Sequence, residues 1–316
     1  MNNDHHNLPH EGLLLGGLDG TNPLGFMAAL GAFRLLSIEN SNVTMTWQVF
    51  NGAWRPTLFG IQVPIAQLGN ELHAAISRLD KSVWSIDKKL PFAAVRLRQE
   101  ACNAAHAASS TSRGLADAIA GLGVECCVDD KGLFKDTALR LVRAADNNKD
   151  KNEQKGLLAF AMETIAITTA CQIQKSISSD WLYEDKKLTF RWDPVENRGY
   201  ALQWQDPSDD GALTERGANC LALFALPYFP TIPTKGQAET TGFGLKKPRQ
   251  SSFTWPIWQH RISLDIAASM LGISELQREQ PPRLELEARG IAAVYRCDRV
   301  MTSTYYANFT PARRVA

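Results

Sequence analysis

The stretch Asn22-Pro23-Leu24-Gly25-Phe26-Met27-Ala28-Ala29-Leu30-Gly31-Ala32-Phe33-Arg34-Leu35-Leu36, followed after a short polar gap by Val43-Thr44-Met45-Thr46-Trp47-Gln48-Val49, decides the class of fold. Asn22 is a good helix N-cap. Pro23 suits the first helical position, where the N–H it lacks would have no partner anyway. Residues 24–36 are apolar and contain good helix formers, so a helix is expected there. Gly25, Ala28, Ala29, Gly31 and Ala32 make it slim, which lets a neighbouring backbone approach closely at some cost in helix propensity. From Val43 the period changes: Val43, Met45, Trp47 and Val49 share one face, the pattern of a half-buried strand. Gly52 then marks a turn into a second short strand around Trp54 to Phe59. The order helix, strand, strand predicts an α+β fold, not a doubly wound parallel sheet.

Working outward, Gly16 to Thr21 is a turn-forming stretch that delivers the chain into the first helix. Ala66 to about Ala145 is dominated by helix formers and predicts a helical middle block, with breaks near Pro91 and Gly123. Asp146-Asn147-Asn148-Lys149-Asp150-Lys151-Asn152-Glu153 is the most polar run in the chain and reads as an exposed linker or loop. The expected organisation is an N-terminal α+β region with its helical block (1–146), a linker (147–154) and a C-terminal α+β region (155–316). In the last of these, Leu157 to Ile173 predicts a helix. Trp, Pro and Gly become frequent from Trp181 to Trp258, predicting short strands and long ordered loops. Further helices are expected at Leu213–Leu226, ended by Pro227, and at Leu264–Leu271, ended by Gly272; Ile291–Cys297 predicts a strand.

Across the 316 residues, 44% are hydrophobic and 21% charged, ordinary values for a folded chain. No run approaches the roughly 18 apolar residues of a membrane span, and Met1-Asn2-Asn3-Asp4-His5-His6 lacks the plan of a secretion signal, so a cytoplasmic protein is expected. Cys102, Cys126, Cys127, Cys171, Cys220 and Cys297 are scattered without a CxxC pair, which argues against disulfides and a zinc site. Three of the six histidines, His5, His6 and His10, crowd into the N-terminal tail, and none has a recognisable acid–base partner. GxSxG, HExxH and GxxxxGK[ST] are all missing, so the common serine-hydrolase, zinc-protease and P-loop mechanisms have no support. Gly16-Gly17-Leu18-Asp19-Gly20 does not fit GxGxxG. Asp129-Asp130 and Asp209-Asp210 are adjacent pairs typical of solvated loops. A metal-dependent nuclease built from dispersed acids stays open as an alternative. No cofactor is expected.

With 34 Lys plus Arg against 33 Asp plus Glu, the net charge is +1, which argues against autonomous nonspecific DNA binding but not against local basic patches. Two such clusters stand beside aromatic residues. Lys186-Lys187 precede Thr189-Phe190-Arg191-Trp192, and Lys246-Lys247-Pro248-Arg249 follow Thr240-Thr241-Gly242-Phe243-Gly244. Cations and rings in Gly/Pro-rich loops suit contact with phosphates and bases, the competing reading being an ordinary solvated loop. In Tyr295-Arg296-Cys297-Asp298-Arg299, strand alternation puts Tyr295, Cys297 and Arg299 on one face and Arg296 and Asp298 on the other. Either Arg296 pairs with Asp298, or an arginine face clamps a phosphate backbone.

The run Arg191-Trp192-Asp193-Pro194-Val195-Glu196-Asn197-Arg198-Gly199-Tyr200-Ala201-Leu202 is the most distinctive in the chain. Together with Gly217-Ala218-Asn219-Cys220, Thr240-Thr241-Gly242-Phe243, Trp255-Pro256-Ile257-Trp258, Arg289-Gly290-Ile291, Asp19-Gly20-Thr21-Asn22-Pro23 and Trp54-Arg55-Pro56, it resembles CRISPR-associated subunits of type I systems, particularly the type I-G (formerly I-U) group. The resemblance implies a non-enzymatic subunit of an RNA-guided interference (Cascade) complex. Its partners would be the other subunits, a guide RNA held through the complex, target double-stranded DNA and a separate helicase-nuclease. In the large-subunit role it would read the protospacer-adjacent motif and support R-loop formation, since base pairing reads the rest. Lys246, Lys247 and Arg249, with Arg191, Arg198, Arg296 and Arg299, are the expected DNA contacts. The competing reading is a structural adaptor or helicase-associated accessory subunit, docking on protein partners through Trp54, Trp192, Trp255 and Trp258.

Overall fold

The computed structural model describes residues 12–108, 113–142, 156–186, 188–196, 213–247, 250–301 and 307–316. The fold is α+β, built from helices and several small antiparallel sheets. The short strand β1 (Leu13–Leu14) leads through the glycine turn into helix α1 (Pro23–Glu39). The Asn22 side chain accepts from Leu24 N at 2.8 Å and Gly25 N at 3.3 Å, so the N-cap read from the sequence is formed. Every residue of α1 from Pro23 to Leu36 is buried, as an all-round apolar helix must be. Its slimness is used where α7 (Arg216–Leu223) crosses it: a Cβ on Gly31 would stand 1.8 Å from the Leu221 carbonyl oxygen.

On its other side α1 meets two sheets. β2 (Thr44–Phe50) and β3 (Ala53–Phe59) form a hairpin that turns at Asn51 and Gly52, both at positive φ, with β1 added beyond β3. Met45 and Trp47 face the core as alternation predicts, whereas Val49, next to the turn, is 62% exposed. The larger sheet comprises β10 (Phe243–Lys247), β11 (Gln250–Trp258), β12 (Ile291–Met301) and β13 (Ala307–Phe309) in that order, and β14 (Arg313–Arg314) also pairs with β12. Phe26 of α1 stacks on Trp47 at 5.7 Å and on Trp255 at 5.8 Å, and the ring series continues through Phe253 to Phe309. Each fully buried side chain of this size contributes about 1.5–3 kcal/mol by leaving water.

The remaining elements surround this centre. α2 (Leu68–Arg78) packs on α6 (Ala170–Ser178), and α3 (Ala94–Ala107) on α4 (Gly114–Ala120). The predicted helical middle block also contains a hairpin, β4 (Gly123–Val128) with β5 (Phe134–Asp136); Gly123, at φ +159, starts a strand there. The single helix expected over Leu157–Ile173 is two, α5 (Leu157–Ile167) and α6, bent by 95°. Thr169 opens the second with a capping box to Gln172, which makes the break a helix start. β6 (Asp185–Lys186) pairs with β7 (Leu213–Thr214), and β8 (Thr231–Thr234) with β9 (Gln237–Thr240). The helix predicted over Leu213–Leu226 is confined to α7, with Pro227 in a following 3₁₀ turn. α8 (Leu264–Leu271) has the predicted bounds, and α9 (Arg283–Ala288) precedes β12.

The predicted linker 147–154 lies outside the described residues, and the buried side chains on either side of it form one contiguous core. Among the described residues no single helix is long and apolar enough to cross a membrane.

Candidate nucleic-acid interface

The stretch Thr240 to Arg249, expected as a loop, carries the edge strand β10 through Lys247. Among the described residues its backbone pairs only with β11, with a bulge between Leu245 and Lys247. Register then fixes the neighbours across the sheet: Leu245 lies opposite Ser251, Ser251 opposite Arg299, and Arg299 opposite Phe309. Lys246 and Lys247 therefore sit at the same end of the sheet as Arg299, two strands away. Arg299 donates from Nη2 to the Arg140 carbonyl at 3.3 Å. Arg191, held at φ +60, donates from Nη1 to Asn308 Oδ1 at 3.0 Å, and Asn308 pairs with Val300 beside Arg299. Four of the residues predicted as DNA contacts, Arg191, Lys246, Lys247 and Arg299, are thus gathered at one end of one sheet. Arg198 and Arg249 lie outside the described residues.

Arg140 joins this group although nothing in its local sequence marks it; its guanidinium pairs with Asp136 one turn away, and its carbonyl receives Arg299. The exposed pair Arg313 and Arg314 on β14, opposite Arg296 and Tyr295, was likewise missed. Only strand pairing reveals that position.

Arg296 does not belong to the surface. It is 2% exposed and donates to Thr254 Oγ1 at 2.9 Å, to the carbonyls of Leu276 and Arg278 at 2.7 Å, and to that of Glu279 at 3.3 Å. Alternation placed it on the correct face, but residues 276–279 cover that face, so its fork holds a loop and cannot contact phosphate. Asp298 pairs with Arg313 instead, at 3.3 Å.

Three of the four proposed tryptophan anchors are also structural. Trp192, Trp255 and Trp258 are fully buried, and each indole N–H donates to a distant carbonyl, of Leu139, Gly20 and Met45 respectively. Trp54 is half-buried and donates to the Tyr295 hydroxyl at 3.1 Å. The three buried rings offer no free face of the kind a docking anchor needs, whereas Trp54 keeps part of its ring exposed.

The described part of the distinctive run after Arg191, residues 192–196, joins a largely buried polar network. Asp193 accepts from Asn22 Nδ2 at 3.0 Å, the Tyr183 hydroxyl at 2.8 Å and Val195 N at 3.0 Å. Glu196 is bound by the hydroxyls of Thr189 and Thr214, and Asn219 donates to Thr214. Burial pushes the Glu196 carboxyl up to about 7, against the pull of its two hydroxyl partners. Burial, then the charge of Asp193, raises Tyr183; burial also raises Glu215, which accepts from Tyr183 N at 2.7 Å. Among the described residues, no three His, Cys, Asp or Glu side chains are grouped to hold a metal ion. In comparison with known proteins, no family model and no curated protein matches this chain.

Proposed function

We propose that the chain is a non-enzymatic DNA-binding subunit of an RNA-guided interference complex, contacting target duplex through the cationic end of the five-stranded sheet. In this reading it recognises the protospacer-adjacent motif and helps hold the opened strands, while guide pairing reads sequence. One observation carries the proposal: strand register brings Lys246, Lys247 and Arg299 to one end of a single sheet, where Arg191 also docks. A local group of this kind attracts phosphates despite a net charge of +1. Among the described residues the edge strand β10 leaves a row of backbone groups beside its lysines with no strand partner, which suits positioning contacts to a backbone.

The test uses the complex assembled by co-expressing the chain with the products of its neighbouring genes. Binding to target duplex is measured against salt for the native complex and for Lys246→Ala with Lys247→Ala. The variant should bind all sequences more weakly, with the slope of log affinity against log salt reduced by about one unit per lost phosphate contact. An unchanged slope and affinity would remove the lysines from the interface. Failure of the chain to purify with a guide-RNA complex would overturn the assignment altogether.

A further inference from the structure

Arg34 is the one ionisable residue in the buried run of α1 from Pro23 to Leu36, and it is 8% exposed. It makes no ion pair with any described carboxylate. Tyr228 lines the same pocket, and burial keeps its hydroxyl in the neutral form. The guanidinium end lies beside Gly114, where an added Cβ would stand 3.6 Å from Nη2. A buried guanidinium without a carboxylate partner is costly, and that cost falls sharply when an anion sits against it.

The space for such an anion is present. Arg34, Gly114 and Tyr228 all line one pocket of about 790 Å³, within the size range of small-molecule sites. Its apolar wall comprises Val83, Trp84, Leu115, Leu223 and Leu226. At the mouth, Arg113 is paired with Asp117 at 3.0 Å and Arg78 with Glu39 at 2.5 Å, so these cations are already neutralised. Asp80 also lines the mouth, where it accepts from Ser82 N. Of the three lining arginines, Arg78 and Arg113 each have a carboxylate partner, and among the described residues Arg34 has none.

The geometry points to a binding site for a small amphipathic anion: one carboxylate or phosphate head on Arg34 and Tyr228, with an apolar body against Trp84 and the leucines. The site shares no residue with the cationic sheet end, so its failure would leave the DNA-binding proposal untouched, and the reverse.

Calorimetric titration of the full chain tests it with octanoate, octyl phosphate, 1-octanol and inorganic phosphate. At least one of the two anionic amphiphiles should bind one site per chain, and which binds tighter identifies the head group. Octanol and inorganic phosphate should each bind at least about tenfold more weakly, a difference of about 1.4 kcal/mol. Arg34→Met should abolish the preference for the anion over octanol. Gly114→Leu leaves the core helix intact while narrowing the pocket beside Nη2, and should weaken the anion at least about tenfold as well. Octanol binding as tightly as the anions, anion binding unchanged in both variants, or no binding of either amphiphile would overturn the site.

Discussion

Asn22 Nδ2 donates to Asp193 Oδ1 at 3.0 Å, joining the cap of α1 to a turn 171 residues further along the chain. The same Asn22 side chain accepts from Leu24 N with its oxygen, so a single amide starts the central helix and ties it to the buried polar network. Asp193 is fully buried and serves three donors at once.

Asn22→Ala should cost about 1–2 kcal/mol through the lost cap alone. Asp193→Ala should cost more, because the Asn22 amide, the Tyr183 hydroxyl and the Val195 N–H, all part-buried, lose one acceptor together, each at up to the about 1–3 kcal/mol of a fully buried stranded group. Urea unfolding of both single variants and the double variant gives their coupling, expected at about 0.5–3 kcal/mol. Strict additivity would show that the two residues do not act together.

The Glu196 carboxyl predicts a pH dependence. Folded, it keeps its proton up to about 7, whereas in the unfolded chain it releases it near ~4.3. Between these values the folded state binds more protons, so the stabilisation is complete below the unfolded value and is lost as pH rises through the folded one. Glu196→Gln removes this loss. Relative to the native chain, the variant should therefore gain stability steadily from about pH 4 to about pH 8. Glu215, raised in the same direction, leaves some residual slope in the variant. Parallel stability curves for the two chains would refute the assignment to Glu196.

At Gly31, alanine would drive its Cβ into the Leu221 carbonyl, 1.8 Å away. Gly31→Ala should cost at least the upper end of the ~1–3 kcal/mol typical of overpacking, because backbone, not a flexible side chain, must yield. Gly16→Ala is the control, since its Cβ would meet nothing nearer than the Ser178 carbonyl at 3.9 Å. Thermal unfolding midpoints distinguish them; equal midpoints would mean that the helices can separate freely.

Arg296→Lys should destabilise although charge is kept, because an ammonium cannot span Thr254 and three carbonyls as the guanidinium fork does. The checking measurement is amide hydrogen exchange over residues 274–279, which should accelerate in the variant. Unaltered exchange there would separate Arg296 from the loop.

Locally encoded structure was readable. The cap and first proline of α1, the alternation of β2, the Gly52 turn and the Gly272 end of α8 each depend on a few adjacent residues. The Thr169-x-x-Gln172 box was equally local and would have divided α5 from α6. The β4–β5 hairpin was obscured because its flanks are alanine-rich and Gly123 reads as a break until a partner strand is known. Of the candidate interface, strand alternation put Arg299 and Arg296 on opposite faces but could not say which face would be covered. That depends on where residues 276–279 pack. Trp192, Trp255 and Trp258 were misassigned for the same reason: composition marks an aromatic residue, and only the fold decides whether it lies inside.

The three fully buried indoles Trp192, Trp255 and Trp258 have an optical consequence. Each bridges chain segments that are remote in sequence, Trp192 to Leu139, Trp255 to Gly20 and Trp258 to Met45. Their emission should be that of buried, hydrogen-bonded rings, and should shift to the red when any of these junctions opens to water. With the other tryptophans replaced by phenylalanine, intrinsic fluorescence would therefore watch these three seams of the molecule.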